Sequence, residues 1–354
     1  MSISASPSPS PDNVAELPDS ARVATASEAP PPAEPKEGDV INNRYRVGRK
    51  LGHGGMGSVF LVEDTWREGR LLALKRVRKD RLDPRTIGIL RNEFLALSPL
   101  SHPNLARVYD FEVDLVTKDY FFTSEYVDGV QLLKAAREFR IGRREDFARF
   151  LETLVQILRA LEFIHSRGLV HGDIKPENIL IAGSLYQLQS ESSGEVMAWS
   201  PKVKMIDFGL TKREKEFGGK RILGTTYYIA PETILGSQVD RRTDLYSLGV
   251  LLYHIVTRKL PFTGDSSMAV LRGHIEKAPN PPSVVEPAVP EPLSKMILRL
   301  MEKQPANRYS SALELIEALN AEFGTHFPLE TVETRLSYIQ SGGFIAREQE
   351  MSEL

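Results

Sequence analysis

One short segment carries more chemistry than any other part of the chain and constrains how the chain can fold. Residues 171–178 read His-Gly-Asp-Ile-Lys-Pro-Glu-Asn, so that an acid, a lysine and an amide lie within a single turn. Further along, Asp207-Phe208-Gly209 follows an apolar run, residues 203–206. Together the two segments offer an acceptor for a hydroxyl proton, a cation for phosphate and oxygen ligands for a hard metal ion. The fold must therefore bring two separate segments to one place.

The composition excludes several other kinds of chemistry. The chain of 354 residues has a formal net charge of -2 and contains no cysteine. It therefore has no general attraction for nucleic acid or an anionic membrane, and no disulfide, thiolate nucleophile or zinc–thiolate site. No apolar run approaches the roughly 20 residues that span a bilayer, and no secretory signal is present. We expect a cytoplasmic protein that binds neither nucleic acid nor membrane.

The first half of the chain changes from a polar tail to a strand-rich region. Residues 1–40 are rich in Ser, Pro, Ala and Glu and hold few large apolar groups. This predicts a disordered tail, with a proline-motif ligand as the alternative. Order should begin near Tyr45. The predicted elements are strands at 44–51, 57–63, 71–77, 108–112 and 120–126 and a helix at 84–97.

Helical periodicity dominates from about residue 130 onward. The clearest helix is 146–167, whose apolar residues form one wide stripe. Residues 244–256 are apolar all round, which is typical of a buried helix. Two further helices, 293–302 and 310–323, close the compact part. The pattern predicts a small sheet with one helix, followed by a mostly helical remainder.

A glycine-rich segment lies between the first two predicted strands. Gly52, Gly54 and Gly57 have the G-x-G-x-x-G spacing, and glycines let a backbone approach phosphates. A dinucleotide-binding fold would continue with a helix, whereas a strand is predicted here. Taken alone, the pattern also fits an ordinary glycine-rich hairpin.

A lysine lies within an otherwise apolar strand. Lys75 follows Leu71-Leu72-Ala73-Leu74, and by itself it would be interpreted as an edge-strand lysine in solvent. Glu93 on the next predicted helix changes this interpretation, because a buried lysine needs a carboxylate partner. A Lys75–Glu93 pair would direct the ammonium at the α- and β-phosphates of a nucleotide.

In their order and spacing these motifs resemble those of eukaryotic-type (Hanks-type) serine/threonine protein kinases, over roughly residues 45–323. The resemblance implies an α+β, two-lobed protein-kinase-like fold. Its small β-rich N-lobe with one main helix would cover about 45–127, and its larger α-helical C-lobe about 128–323. It also implies transfer of the γ-phosphoryl group of ATP, with Mg²⁺, to Ser or Thr hydroxyls of protein substrates or of the protein itself.

The resemblance assigns roles to individual residues. Asp173 corresponds to the catalytic base and Lys175 to the lysine that contacts the γ-phosphate. Asn178 and Asp207 would hold Mg²⁺. Ser124, a small residue before the hinge, would leave a pocket open behind adenine. The backbone of Glu125 and of Val127 would bind the adenine edge. The implied nucleotide-binding positions are Leu51, Gly52, Gly54, Gly57, Val59, Ala73, Lys75, Glu93, Ser124, Glu125 and Val127.

The resemblance also implies contacts with structural roles. These are Glu232 with Arg308, Asp244 with the backbone of the catalytic loop, Thr225 with the catalytic acid, and His171 with Phe208 and Leu97 in the core.

Two departures from the family's pattern lie near the expected site. Gly172 replaces the arginine that commonly precedes the catalytic acid, and residues 210–223 contain one hydroxyl, on Thr211. We therefore hypothesise that activity does not require phosphorylation of this activation segment. Residues 183–201 are longer than the usual hairpin there. We interpret them as a surface insertion, with a docking or autophosphorylation loop as the alternative.

The last residues differ from a kinase domain. Residues 344–354 look like the opening of a signalling ATPase module, with Ala346 where glycine is usual, or like an amphipathic tail helix. We therefore expect 324–354 to be an extension, and the chain to be a fragment of a longer bacterial protein with linked ATPase or sensor domains, or a truncated gene product. A pseudokinase that regulates an attached ATPase and a small-molecule kinase remain the alternative functions.

Overall fold

The structure, a computed structural model, describes residues 34–54, 57–79, 84–182, 202–207 and 226–342. From Lys36 onward these residues belong to one compact unit. Predictions for most of the N-terminal tail, the 183–201 insertion, the activation segment and the 344–354 motif lie outside the described residues.

Strands with alternating apolar residues build a sheet in the first part of the chain. Among the described residues it has six strands, all paired antiparallel, in the order β1-β2-β3-β4-β6-β5. These are β1 (Val40–Ile41), β2 (Tyr45–Gly54), β3 (Gly57–Asp64), β4 (Arg70–Val77), β5 (Val108–Val113) and β6 (Tyr120–Glu125). Leu72 and Leu74 of β4 are fully buried with Val62 and Phe121, so one face of the sheet forms a small core. Order begins slightly earlier than predicted, at β1.

One helix, which lies between β4 and β5 in the chain, packs against this sheet and against the second part of the chain. It is α1 (Pro84–Leu97), as the sequence predicts. The rings of Phe94 and Phe111 lie 5.7 Å apart, so the helix packs on β5. Leu90 and Leu97 are buried in the large core that extends into the helical part.

The large core lies among the helices of the second part. These are α2 (Leu132–Ala135), α3 (Arg144–His165), α4 (Pro231–Ile234), α5 (Arg241–Thr257), α6 (Ser267–Glu276), α7 (Pro282–Val285), α8 (Glu291–Leu300), α9 (Ala312–Phe323) and α10 (Val332–Gly342). α5 is buried along most of its length, as predicted, and packs on α8. At Gly249 a Cβ would lie 2.7 Å from the Cβ of Leu300, so glycine is what allows this close approach. No helix in the described ranges has both the length and the apolar character needed to cross a membrane.

A small second sheet carries the two polar segments. Its antiparallel strands are β7 (Gly129–Gln131), β8 (Ile179–Ala182) and β9 (Lys202–Met205). The segment 171–178 leads into β8, and Asp207 follows β9 after one residue. The N–H of Ile206 donates to the carbonyl of Asn178 at 2.8 Å, which joins the two segments.

The helix α10 was not predicted, and it packs against the back of α3. The rings of Tyr338 and Phe163 lie 5.1 Å apart, edge to face. The guanidinium of Arg167 lies 3.7 Å from the Phe163 ring centroid and 5.0 Å from that of Tyr338. Arg159 also donates to the carbonyl of Pro328 at 3.1 Å. The chain therefore continues to pack on the helical part after the last predicted helix.

Candidate active site

A buried carboxylate binds the backbone of the loop that carries Asp173. Asp244 of α5, only 1% exposed, accepts hydrogen bonds from the backbone N–H groups of His171 and Gly172, both at 2.8 Å. The ring Nε2–H of His165 donates to the same carboxylate at 2.8 Å. Burial alone would raise the pKa of Asp244, but these donors lower it below its ordinary value. The predicted contact between Asp244 and the catalytic loop is confirmed; the part played by His165 was not predicted.

Three of the predicted polar residues meet within this loop. Asn178 donates through Nδ2 to the backbone carbonyl of Asp173 at 2.8 Å and to its carboxylate at 2.9 Å. The Nζ of Lys175 lies 2.8 Å from the same carboxylate. Burial would lower the pKa of Lys175, but Asp173 and Asp207 raise it above its usual range. Lys175 therefore stays cationic at neutral pH, beside an acid that is only 7% exposed.

Asp207 connects this loop to the first sheet. Its backbone has φ 56°, a left-handed conformation that few residues other than glycine adopt. Its carboxylate forms an ion pair with the ammonium of Lys75 on β4. Groups from the sheet and from the helical part thus meet at one point. The side chain of Glu93 lies outside the described residues, so the Lys75–Glu93 pair stays a prediction.

The strand register places four of the predicted nucleotide-binding residues on one face of the first sheet. Val59 is opposite Lys75, and Ala73 is opposite Ser124. Directly opposed residues share a face, and so do residues two apart on a strand. All four residues are partly exposed, whereas the residues between them are buried in the small core. This face is therefore only partly covered by the described residues, and Lys75 on it pairs with Asp207.

The glycine-rich hairpin borders the same face. Gly54 pairs with Gly57 where β2 turns into β3. A Cβ at Gly57 would lie 1.7 Å from the carbonyl oxygen of Arg76, so only glycine fits there. A Cβ at Gly52 would have no heavy atom within 4 Å, and Leu51 beside it is half-buried. The backbone at Gly52 is therefore open to an approaching group.

The predicted hinge after β6 is held by a residue that the sequence analysis missed. The N–H of Glu125 donates to the carbonyl of Arg107 at 2.7 Å, and its carboxylate lies 2.9 Å from the Nζ of Lys204. Lys204, on β9, also donates to the carbonyl of Leu105 at 3.2 Å. Its position in the apolar run before Asp207 was the available signal, because a buried lysine needs a carboxylate. Val127, two residues beyond Glu125, is half-buried.

A buried ion pair joins α4 to the segment between α8 and α9. Arg308 binds Glu232 through both guanidinium nitrogens, at 2.7 and 2.8 Å, and the hydroxyl of Thr243 donates to Glu232 at 2.8 Å. Burial would raise the pKa of Glu232, but Arg308, together with backbone and Thr243 hydrogen bonds, lowers it below its ordinary value. The predicted Glu232–Arg308 pair is confirmed.

Two other predicted contacts are tested only in part. His171 and Leu97 are buried, as expected for core residues, at 2% and 7% exposure. Their predicted partner Phe208, and the contact of Thr225 with the catalytic acid, lie outside the described residues.

The class of protein follows from this fold and from comparison with known families. The protein kinase domain family matches residues 45–323. The chain therefore belongs to the protein kinase domain family, as its motifs predict.

Its relatives include bacterial kinases. The chain is 35% identical over 283 residues to a Streptomyces coelicolor protein named as a probable serine/threonine-protein kinase, covering 78% of this chain and 39% of that protein. It is 33% identical over 283 residues to serine/threonine-protein kinase PknB of Mycobacterium tuberculosis, covering 78% of this chain and 42% of that kinase. The chain thus spans about two fifths of the length of these relatives.

A solved structure shows the same fold. The PknI kinase domain of Mycobacterium tuberculosis superposes with a TM-score of 0.60 at 23% identity, covering 82% of this chain and 100% of that domain. The predicted two-lobed α+β kinase fold is confirmed.

Proposed function

We propose that this chain is a protein serine/threonine kinase that transfers the γ-phosphoryl group of ATP, with Mg²⁺, to protein substrates. The observation that carries the proposal is the cluster of Asp173, Lys175 and Asn178 joined to Asp207 and Lys75. This cluster holds an acid, two cations and two further oxygen-bearing side chains in contact with one another. The names of the bacterial relatives support serine and threonine as acceptors.

The residues fit a nucleotide and a hard metal ion. Open space beside Gly52 lets phosphate oxygens approach the backbone. Asn178 and Asp207 offer one amide and one carboxylate, and no group of three or more His, Cys, Asp or Glu side chains in the described ranges could hold a metal by itself. This suits Mg²⁺, which takes one or two carboxylates together with phosphate oxygens and water.

Each residue of the site would have a separate role in the transfer. When bound, Mg²⁺-ATP supplies the phosphoryl group and screens its charge. Asp173 would orient the acceptor hydroxyl and take up its proton. Lys175, kept cationic by its raised pKa, would contact the γ-phosphate oxygens. The adenine edge would meet the carbonyl of Glu125, since its N–H is engaged by Arg107, and the backbone of Val127.

The test is phosphotransfer by the purified protein and by Asp173→Asn, with ATP, Mg²⁺ and a generic basic protein. The variant keeps the shape of the side chain and loses the base, so we expect activity to fall by roughly 100- to 10,000-fold. Asp265→Asn, at an exposed site, is the control. Phosphate should appear on Ser or Thr. If the parent binds ATP without transferring phosphate, the pseudokinase alternative replaces this proposal.

The proposal includes activity without phosphorylation of the activation segment. Gly172 has φ 71°, a conformation suited to glycine, and it offers no side chain to receive a phosphate. We expect phosphatase-treated protein, and the variant Thr211→Ala, to remain active. A treated protein that is inactive and recovers only when residues 210–223 are phosphorylated would overturn this part.

The proposed organisation is an N-lobe at 45–127, a C-lobe at 128–323 and an extension at 324–354. We propose that an ATPase or sensor domain is linked beyond it, supported by the motif at 344–354. A cytoplasmic location is part of the proposal, supported by the absence of cysteine. The mass of the native product tests the linked domain, and a native product that ends at Leu354 would contradict it.

A further inference from the structure

A buried histidine lies against residues 226–228, which are part of the segment 224–232, Gly-Thr-Thr-Tyr-Tyr-Ile-Ala-Pro-Glu, whose sequence resembles the substrate-docking loop of protein kinases. His274 of α6 is 0% exposed, and α6 packs against the turn Thr226–Tyr228. This turn, here called the docking turn, precedes α4 and follows the predicted contact residue Thr225. None of the family motifs quoted above includes His274.

The two ring nitrogens of His274 are in different chemical states. Nδ1 lies 2.9 Å from the hydroxyl of Tyr246 on α5. Burial raises the pKa of Tyr246, so its hydroxyl keeps the proton and donates it to Nδ1. Burial, together with the nearby charge of Lys303, lowers the pKa of His274 to about 3, so the ring is neutral. A neutral imidazole that accepts at Nδ1 carries its proton on Nε2.

The Nε2–H group lies beside the docking turn without a complete hydrogen bond. The backbone of Tyr227 and of Thr226 raises the pKa of His274, as carbonyl oxygens near a ring N–H do. No hydrogen bond of good geometry satisfies Nε2 within the described residues. A buried donor without an acceptor is destabilising. A small movement of the docking turn toward α6 would recover that free energy.

The packing around His274 prevents the ring from moving away instead. Its ring meets the ring of Phe262 edge to face at 4.9 Å. α6 can approach Phe262 because a Cβ at Gly273 would lie 2.9 Å from the Phe262 Cβ. The Nζ of Lys303 donates to the carbonyl of His274 at 2.8 Å, which fixes this end of α6. A closer contact would therefore have to come from the docking turn.

We propose that His274 is a positioning residue for the peptide substrate. Its Nε2–H donates to a backbone carbonyl of the docking turn when that turn closes on an acceptor peptide. The inference rests on the proposed kinase function. The residues expected to bind nucleotide lie on other elements, so the contact should change the affinity for peptide and leave that for ATP unchanged.

His274→Gln and His274→Asn form a matched pair for the test. The amide nitrogen of glutamine reaches the place of Nε2, whereas that of asparagine reaches only the place of Nδ1. We expect the Asn variant to raise the KM for an acceptor peptide by roughly fivefold to tenfold, the effect of one lost hydrogen bond. The Gln variant should stay near the wild-type KM. For both variants kcat and the KM for ATP should stay near wild type.

Several outcomes would overturn the proposal. A wild-type peptide KM for the Asn variant would do so, and so would equal increases for Asn and Gln. If the Asn variant does not fold, Tyr246→Phe replaces it in the test. Without the tyrosine hydroxyl as a donor to Nδ1, nothing keeps the ring proton of His274 on Nε2. An unchanged peptide KM for Tyr246→Phe would again contradict the proposal. ATP binding without phosphotransfer in the wild-type protein would instead overturn the proposed function, and this inference with it.

Discussion

Lys75 and Asp207 form an ion pair that joins β4 to the segment following β9. The first residue is expected to contact phosphates and the second to bind Mg²⁺, so each neutralises the other when no nucleotide is bound. Their side chains are 18% and 31% exposed, and water screens the pair only in part. If phosphates bind Lys75 and Mg²⁺ binds Asp207, each ligand competes with this pairing, which predicts that the metal and the nucleotide bind cooperatively.

Replacing Lys75 with Met should change metal and nucleotide binding in opposite directions. Asp207 loses its cation, so Mg²⁺ alone should bind more tightly, while ATP loses a charged contact and its Kd should rise roughly tenfold or more. Titration calorimetry measures both. Lys202→Met, at an exposed position on β9, should change neither. Weaker binding of Mg²⁺ alone to the Lys75 variant would contradict the prediction.

Replacing Asp244 with Asn should destabilise the protein strongly. An amide cannot accept from the N–H groups of His171 and Gly172 and from His165 together, and one donor is left buried. We expect the free energy of unfolding in urea to fall by about 2–4 kcal/mol. The matched control, Asp240→Asn, changes the N-cap of the same helix, where asparagine caps well, and should cost less than about 1 kcal/mol. Similar losses at the two sites would show that the contacts to the loop contribute little.

Two arginine–glutamate pairs at the same 2.7 Å distance should differ in strength because they differ in burial. Arg308 and Glu232 are 0% and 5% exposed, and Arg308→Lys should cost about 2–4 kcal/mol because lysine cannot bind the carboxylate through two nitrogens. Arg299 and Glu314 are 46% and 33% exposed, and Arg299→Lys should cost less than about 1 kcal/mol. Thermal or urea unfolding measures both losses. Equal losses would show that burial does not decide the strength of these pairs.

The stability of the protein should fall below neutral pH because of a buried histidine. Burial, with Lys204 and Arg167, lowers the pKa of His102 to about 3. The unfolded chain therefore binds a proton that the folded chain does not, so stability is fully present above the unfolded pKa of about 6.5 and falls as the pH drops toward 3.

His102→Asn isolates this effect. The asparagine oxygen can still accept from the N–H of Asn104, which donates to His102 Nδ1 at 3.1 Å. Between about pH 7.5 and 5.5 the wild-type protein should lose about 1 kcal/mol more unfolding free energy than the variant. Equal losses in urea titrations at the two pH values would mean that the folded protein protonates His102 readily.

The sequence predicts the long elements well and the short ones poorly. β3, β4, α1, α3 and α5 lie within a few residues of their predicted places, because each is long enough to show a clear period. The strands of the small sheet, β7, β8 and β9, have 3, 4 and 4 residues, too few for alternation to show, and none of them was predicted. Order before Tyr45 was missed for the same reason, since β1 has 2 residues.

The residues of the candidate site also fall into a group that the sequence predicts and a group that it does not. Asp173, Lys175 and Asn178 lie within six residues of one another, so the sequence itself shows that they are close. The pairs that support them join distant segments: His165 with Asp244, and Lys204 with Glu125. A buried lysine or histidine needs a polar partner, but the identity of that partner depends on how the segments pack.

The packing of α10 on α3 has a practical consequence for fragments of this protein. Phe163 is fully buried, with His102 on one side at 4.8 Å and Tyr338 on the other. A recombinant fragment cut at residue 323, where the family match ends, would leave this ring open to water, at a cost of about 1.5–3 kcal/mol if the exposure were complete. Such a fragment should melt at a lower temperature and self-associate through the bare aromatic surface, although every residue expected to touch ATP would still be present.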